Sequence, residues 1–334
     1  MDAKEKELSD FKAKMDAKVN VIVHCIFPDV QVLPLKHTGL HHRPAGDEIM
    51  LALHKGKDII TDSIRNHGAW ETSVLYVMQH ALRVMASRTG KAPVVIDIGA
   101  NMGTMCVPLA AEGYETHAFE MFPNNVRLLN ISRCINSIPA SRLQIHHAGL
   151  SDREHECIFI SDKNFISDAT LKCDDRTKPM SHWNAGDVFR DNYIVRGKAQ
   201  LRRFDSLLDE RDLQRKLDEG RPFVVKIDVE GHEIHALRGA NRLLSHPNKP
   251  RLIHAEAWST LNCTALAKLM FSYGYIGYAQ ESQRWVTDLV EAVAWWKYFS
   301  AKTNQNNIMW VHPDYAQDFT GTLGIGTIMK PTMK

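Results

Sequence analysis

Short β-branched runs alternate along this chain with longer stretches whose apolar residues recur at the helical period. Val94, Val95 and Ile96 form one such run, closed by Asp97; Gly99, Asn101 and Gly103 follow, and TMCVPLAAEG then reads as a helix. The exchange repeats with a strand over Thr116 to Glu120, a helix from Pro123, a strand over Leu143 to Ala148 and a short strand over Cys157 to Ile160. FDSLLDE and RDLQRKLDEG predict a helix or helix pair capped by Asp205 and stopped at Gly220. A strand from Phe223 to Val229 leads into a helix with the stripe Ile234, Leu237 and Leu244. After it come a strand LIHAEAW, an amphipathic helix from Leu261 to Ser272, and a strand GYIGYA. A helix holding Trp285, Leu289, Val293 and Trp296 and a closing strand NNIMWVH complete the pattern. Such alternation predicts an α/β fold, a mostly parallel doubly wound sheet with helices on both faces.

The ends break the pattern. MDAKEKELSDFKAKMDAK is densely charged with both signs and predicts a solvated helix or a frayed arm. NVIVHCIFPDVQVLPL is apolar but cut by Pro28 and Pro34, and it falls short of the roughly twenty residues a membrane span needs. It reads as strand in an N-terminal extension over 1–60, with no membrane span. Between Gly46 and Gly90 the pattern is helical, with Val74, Leu75, Met78, Ala81, Leu82 and Met85 on one face. The polar stretch from Asp162 to Lys198, which contains His182, Trp183 and Asn184, has no period and reads as a loop that walls an acceptor pocket. The main domain is expected over 61–312, and a loose Gly- and Thr-rich tail over 313–334.

With 334 residues, 44% of them hydrophobic, the chain can bury a large core; a net charge of +2 gives no strong nucleic-acid signal. Six cysteines stand without a Cys-x-x-Cys pair, and Cys106 and Cys134 fall in predicted helices facing the core. That usage predicts reduced thiols and a cytoplasmic protein. HHR at 41 and HH at 146 lack zinc-ligand spacing, and the triplets at Asn130 and Asn262 sit in or beside predicted helices, poor places for a glycan.

Candidate chemistry gathers at the glycine loop. A dinucleotide fingerprint needs a middle glycine for the pyrophosphate, and this loop has Asn101 instead. Asp97 at the strand end would repel a pyrophosphate but attract the ammonium of S-adenosylmethionine. About twenty residues on, Glu120 ends the next strand, placed to hold both hydroxyls of a ribose. The pair favours S-adenosylmethionine over NAD as cofactor; helix capping by both acids is the bland reading.

VVIDIGANMG, HAFEMFPNN, HHAGLSD, RRFDSLL and KIDVEGHEIHALRGA, in this order, resemble the FkbM family of S-adenosylmethionine-dependent methyltransferases over about Gly68 to Tyr275. The family usually reads Phe-Glu-Pro after the second strand; here Met121 follows Glu120 and the proline waits until Pro123. The resemblance implies a class I, Rossmann-like methyltransferase with a seven-stranded sheet whose last pair is antiparallel. It assigns cofactor contacts to Asp97, Gly99, Asn101, Gly103, Glu120, Gly149, Leu150 and Glu71. Trp70 and Glu71 would close over the cofactor, or else Trp70 is a core aromatic and Glu71 lies in a first helical turn. Asp228, Glu230 and His232 are the expected catalytic residues, with Glu233 serving its helix N-terminus. No metal is assigned, although Asp228, Glu256 and His254 reach the same sheet edge. The implied activity is O-methylation of a hydroxyl on a sugar or other small metabolite, so the partner is a small-molecule or glycan acceptor. An RNA ribose methyltransferase, a nucleotide-binding oxidoreductase and a non-catalytic cofactor-binding scaffold stay open, as does homo-oligomerisation.

Overall fold

The computed structural model describes residues 28–36, 48–163, 169–173, 185–186, 188–190, 192–257, 260–279, 284–299 and 306–320. The charged start, the HHR triplet, His182 to Asn184 and the end of the tail lie outside the described residues. Strands β1 (Val30–Leu35) and β2 (Ile49–His54) pair antiparallel, and α1 (Ile59–His67), α2 (Thr72–Thr89), β3 (Val94–Ile98) and α3 (Cys106–Ala111) follow. Next come β4 (Glu115–Glu120), α4 (Pro123–Ile135) and β5 (Leu143–His147). A second sheet comprises β6 (Gly149–Leu150), β7 (His155–Asp162), β8 (Thr170–Lys172), β9 (Val188–Arg190) and β10 (Tyr193–Arg202). The chain returns through α5 (Phe204–Glu210), α6 (Leu213–Asp218), β11 (Phe223–Ile227), α7 (Glu233–Arg238), α8 (Asn241–Ser245) and β12 (Leu252–Ala257). It ends with α9 (Thr260–Ser272), β13 (Ile276–Ala279), β14 (Arg284–Val286), α10 (Leu289–Phe299), β15 (Asn306–Val311) and α11 (Ala316–Thr320).

The central sheet has eight strands in the order β14-β13-β15-β12-β11-β3-β4-β5. β5, β4, β3, β11 and β12 run parallel, and β15 enters antiparallel between β12 and β13. Without β14 this is the class I methyltransferase order. The extra strand is a short hairpin partner of β13, so Trp285 stands in a strand and not in the expected helix.

Strand alternation sorts the core into two layers. Val94, Ile96, Ile98, Phe223, Val225, Ile227, Ile253 and Ala255 pack with α5 to α9 on one face. Val95, Val224, Leu252 and Met309 pack with the apolar stripe of α2 on the other, where Val74, Leu75, Met78, Ala81, Leu82 and Met85 are all buried as their spacing predicts. Each such side chain contributes about 1.5–3 kcal/mol by leaving water.

Several expectations need correction. Ile49–His54 is strand, not helix; β2 is pinned to the end of α4 by Ser132 Oγ, which accepts from the Ala52 amide at 2.9 Å, and by Asn136, which bonds both Met50 backbone groups. The patternless 162–198 stretch holds β8, β9 and the start of β10. Asp205 does not cap its own helix: its Oδ1 accepts from the Arg242 amide at 2.9 Å and so caps α8. The single helix expected after KIDVEGHE is broken at Gly239, where a Cβ would lie 2.0 Å from the Ser151 carbonyl oxygen. Pro313–Thr320 is ordered, with Tyr315, Ala316 and Phe319 buried, so the loose tail does not begin at Pro313. Cys134 is exposed, and Cys157 is joined to Cys173 by a disulfide, against the expectation of reduced thiols. Their pairing was hidden because β8 itself was not foreseen. No described helix is long and apolar enough to cross a membrane.

Candidate functional site

On the α2 face the central strands change character toward their carboxyl ends. Val95 gives way to Asp97, Val224 to Lys226, and Leu252 to His254; these three polar residues are register partners across β3, β11 and β12. Two positions further on stand Gly99, Asp228 and Glu256. The result is a buried ionisable row above an apolar layer. Lys226, 5% exposed, places its ammonium 3.0 Å from Asp228 Oδ2 and 4.0 Å from Glu71 Oε2. Burial would neutralise Lys226, but Asp228, Glu71 and Asp97 hold its pKa above the ordinary value. Burial likewise opposes ionisation of Asp228, yet the Lys226 ammonium keeps its carboxyl below the usual carboxylate range. Glu256 is pushed up to about 9 by burial and then by Asp228, Glu230, Glu71 and Glu233, so at neutral pH it carries a proton. Burial and Lys226 lower His254 to about 4; the imidazole is neutral, and neither ring nitrogen has a hydrogen-bond partner among the described residues. Asp97, 1% exposed, is raised by burial; the Cys106 amide and thiol lie near it, but neither carboxylate oxygen is in hydrogen-bond geometry.

Beside this row a cavity lies at the carboxyl ends of β3, β4 and β11. Of the expected residues it brings together Gly99, Asn101, Glu120, Gly149, Leu150, Asp228 and Glu230. Glu120 is buried, accepting from the Asn101 amide at 2.8 Å and from the Phe122 amide at 2.7 Å. Burial pushes its carboxyl up to about 7. Asn101 holds φ 49° and its Oδ1 accepts from Asn125 Nδ2 at 3.1 Å, which fixes the loop under Glu120. Gly99, at φ 80°, is required by the protein itself: a Cβ there would stand 1.8 Å from the Asp228 carbonyl oxygen. Glu230, also at positive φ (53°), offers its carbonyl to Thr170 Oγ1 at 2.8 Å.

Other expected residues are placed elsewhere. Gly103 packs on Val107 and Leu129, away from the cavity. Asp97 lies behind the cavity lining and Glu71 joins Lys226 in the ionisable row. Trp70 packs on the core cluster around β1, β2 and α4, the core-aromatic reading. Glu71 precedes α2 at φ 45° and is raised above its ordinary pKa by burial, against the pull of Lys226. His232 does not line the cavity; its Nε2 faces Ser151 Oγ at 3.1 Å, its ring stacks on His235, and burial, with His235 beside it, lowers it to about 4. Glu233 braces the β11 loop, accepting from the Val229 and Gly231 amides at 3.2 and 3.0 Å. Asp228, Glu256 and His254 do not converge as metal ligands; among the described residues the one group at such spacing is His155, Cys157 and Cys173. Ala169 and Leu171 lie within the 162–198 stretch expected to wall a pocket, although no single residue of it was singled out. Sequence reasoning missed Met121, Phe122 and Asn125, which lie within five residues of Glu120.

The residues fit an adenosyl group. Leu150, Leu171 and Met121 offer apolar surface, and Glu120, Asp228 and Glu230 bring carboxyl groups to the same lining.

No curated protein matches the chain. Solved structures similar to it are distant. One is precorrin-6y C5,15-methyltransferase from Geobacter metallireducens, 11% identical over 70% of this chain and 87% of that chain, with a TM-score of 0.32. Another is an SAM-dependent methyltransferase from Agrobacterium tumefaciens, 7% identical over 79% and 67%, with a TM-score of 0.37. A third is magnesium protoporphyrin IX methyltransferase from Synechocystis PCC 6803 with bound SAH, 10% identical over 78% and 90%, with a TM-score of 0.33. The family model for the methyltransferase FkbM domain matches residues 97–276, more than half of the chain, and the protein belongs to that family.

Proposed function

We propose that this protein is an S-adenosylmethionine-dependent O-methyltransferase acting on a hydroxyl of a sugar or another small metabolite. Family membership supports the methyltransferase reading. The observation that supports the hydroxyl is the ionised Asp228 carboxylate, locked by Lys226 at 3.0 Å where the cavity meets the ionisable row. Bound in the cavity, the cofactor supplies an electrophilic methyl on a sulfonium. Glu120 and the Asn101 loop hold its ribose, and Gly149 and Leu150 flank its base. Asp228 would orient the acceptor hydroxyl and take its proton. Lys226 keeps Asp228 ionised until then, and Glu230 lines the same rim. Alignment of this kind can supply about 7–11 kcal/mol, and a positioned base a further factor of about a hundred to ten thousand.

Release of S-adenosylhomocysteine over a panel of sugars and polyols tests the reading. Asp228→Asn is expected to lower kcat at least about a hundredfold while the dissociation constant for S-adenosylhomocysteine changes little. Unchanged turnover in that variant removes Asp228 from the reaction.

A further inference from the structure

The second sheet carries chemistry that the proposed reaction leaves unused. His155 and Cys157 stand two residues apart on β7 and share one face; Cys173, one residue beyond β8, lies opposite Cys157, with Cα atoms 4.3 Å apart and the sulfurs joined. A nitrogen of His155 lies within 4.8 Å of both sulfurs. Cys157 is buried, whereas Cys173 and His155 are partly exposed. Of the two half-cystines Cys173 is the less buried, and an imidazole stands within 4.8 Å of both sulfurs.

The same bond packs against the wall of the cofactor cavity without lining it. Cys157 and Cys173 belong to one apolar cluster with Met121, Phe122 and Leu171. Those three residues also line the cavity, together with Ala169. β8, which carries Leu171, spans only Thr170–Lys172 and among the described strands pairs with β7 alone. Apart from that ladder, it is tied by the Thr170 hydroxyl to the Glu230 carbonyl and by the disulfide.

We infer that Cys157 and Cys173 form a reversible thiol switch that seats or frees the β8 wall of the cavity and thereby sets cofactor affinity. The inference rests on the reading of that cavity as the S-adenosylmethionine site. The reductant is a small dithiol or a dithiol protein. Its thiolate attacks Cys173 Sγ, the sulfur–sulfur bond breaks, and Cys157 leaves as a thiolate beside His155, which donates the proton it takes up and is reprotonated from solvent. The second thiol of the reductant then attacks the mixed disulfide, releases Cys173 and closes the reductant's own disulfide. Two electrons and two protons thus reach the protein. With the tie gone, among the described residues the segment Ala169–Leu171 keeps a three-residue ladder, one hydroxyl and the apolar packing of Leu171. If the freed wall is seated a tenth of the time, apparent affinity falls about tenfold.

Calorimetry with S-adenosylhomocysteine on the full chain, oxidised and then reduced with dithiothreitol, tests the switch, with amide exchange at Thr170–Lys172 read in parallel. The oxidised protein is expected to bind about tenfold more tightly and to exchange more slowly at those amides; Cys157→Ser/Cys173→Ser behaves as the reduced form under both conditions. Reduced wild type keeps the test valid where that variant does not fold. Equal affinity in the two redox states, or two free thiols at these positions in the oxidised protein, overturns the switch. If S-adenosylhomocysteine binds in neither state, the cofactor reading fails, and the exchange rates alone decide whether the disulfide holds β8.

Discussion

Glu120 commits both carboxylate oxygens to the Asn101 and Phe122 amides in the free protein, so the contact proposed for the ribose is fixed in place before a ligand arrives. Its burial has a pH signature. The folded-state pKa, about 7, lies above the ordinary 4.5, so the folded form holds a proton that the unfolded chain has released between these values. The contribution of Glu120 to stability is therefore fully present below about pH 4.5 and is lost as pH rises through 7. Glu120→Gln cannot ionise; its stability relative to wild type is expected to improve across that window, by up to about 3 kcal/mol, as read from urea midpoints at pH 5 and pH 8. A constant offset across pH would show that Glu120 ionises as freely in the fold as in water. The acidic residues of the site were legible because each ends an apolar run, where a strand must deliver its last side chain to the sheet edge: Asp97, Glu120 and Asp228 all do so. His232 and Gly103 were not, since the direction a turn residue faces depends on what packs against the turn, here Ser151 for His232 and Leu129 for Gly103.

Elements show the same division. β3, β4, β11 and α2 were readable because one periodicity runs through each without a break. β10 was not: between Val195 and Gly197 its register to β7 shifts, and the bulge interrupts the alternation that marks a strand. β8 and β14 are too short to show any period. The apolar stripe after β11 persists across Gly239 and so reads as one helix, while the break falls where the Ser151 carbonyl, from another part of the chain, packs so close that only glycine fits. Asp205 ties these pieces together by capping α8 from the first turn of α5. Asp205→Ala should cost about 0.5–2 kcal/mol in chemical denaturation, the range for a lost helix cap. Because the cap is remote from the cavity, the dissociation constant for S-adenosylhomocysteine should not move.

At the scale of the whole molecule, the N-terminal strands are connected to the site. His54 of β2 meets Asn125 at 2.8 Å, Asn125 holds Asn101, and the Asn101 amide donates to Glu120. Ligand binding should therefore stabilise the chain well beyond the cavity: S-adenosylhomocysteine at a hundred times its dissociation constant is expected to add about 2.7 kcal/mol to unfolding. NAD at the same concentration should add nothing, and equal stabilisation by both would remove the preference for the sulfonium nucleoside. The central sheet also carries a consequence for synthesis. β15 sits between β12 and β13, although it follows both in the chain. While the ribosome is still translating, β5, β4, β3, β11 and β12 can pair in full and β13 can pair with β14, but nothing joins that hairpin to β12 until the residues of β15 have left the exit tunnel. A nascent chain arrested before Asn306 therefore holds the complete parallel part of the sheet beside an open seam on β12, and the last of the described strands to be made is the one that closes it.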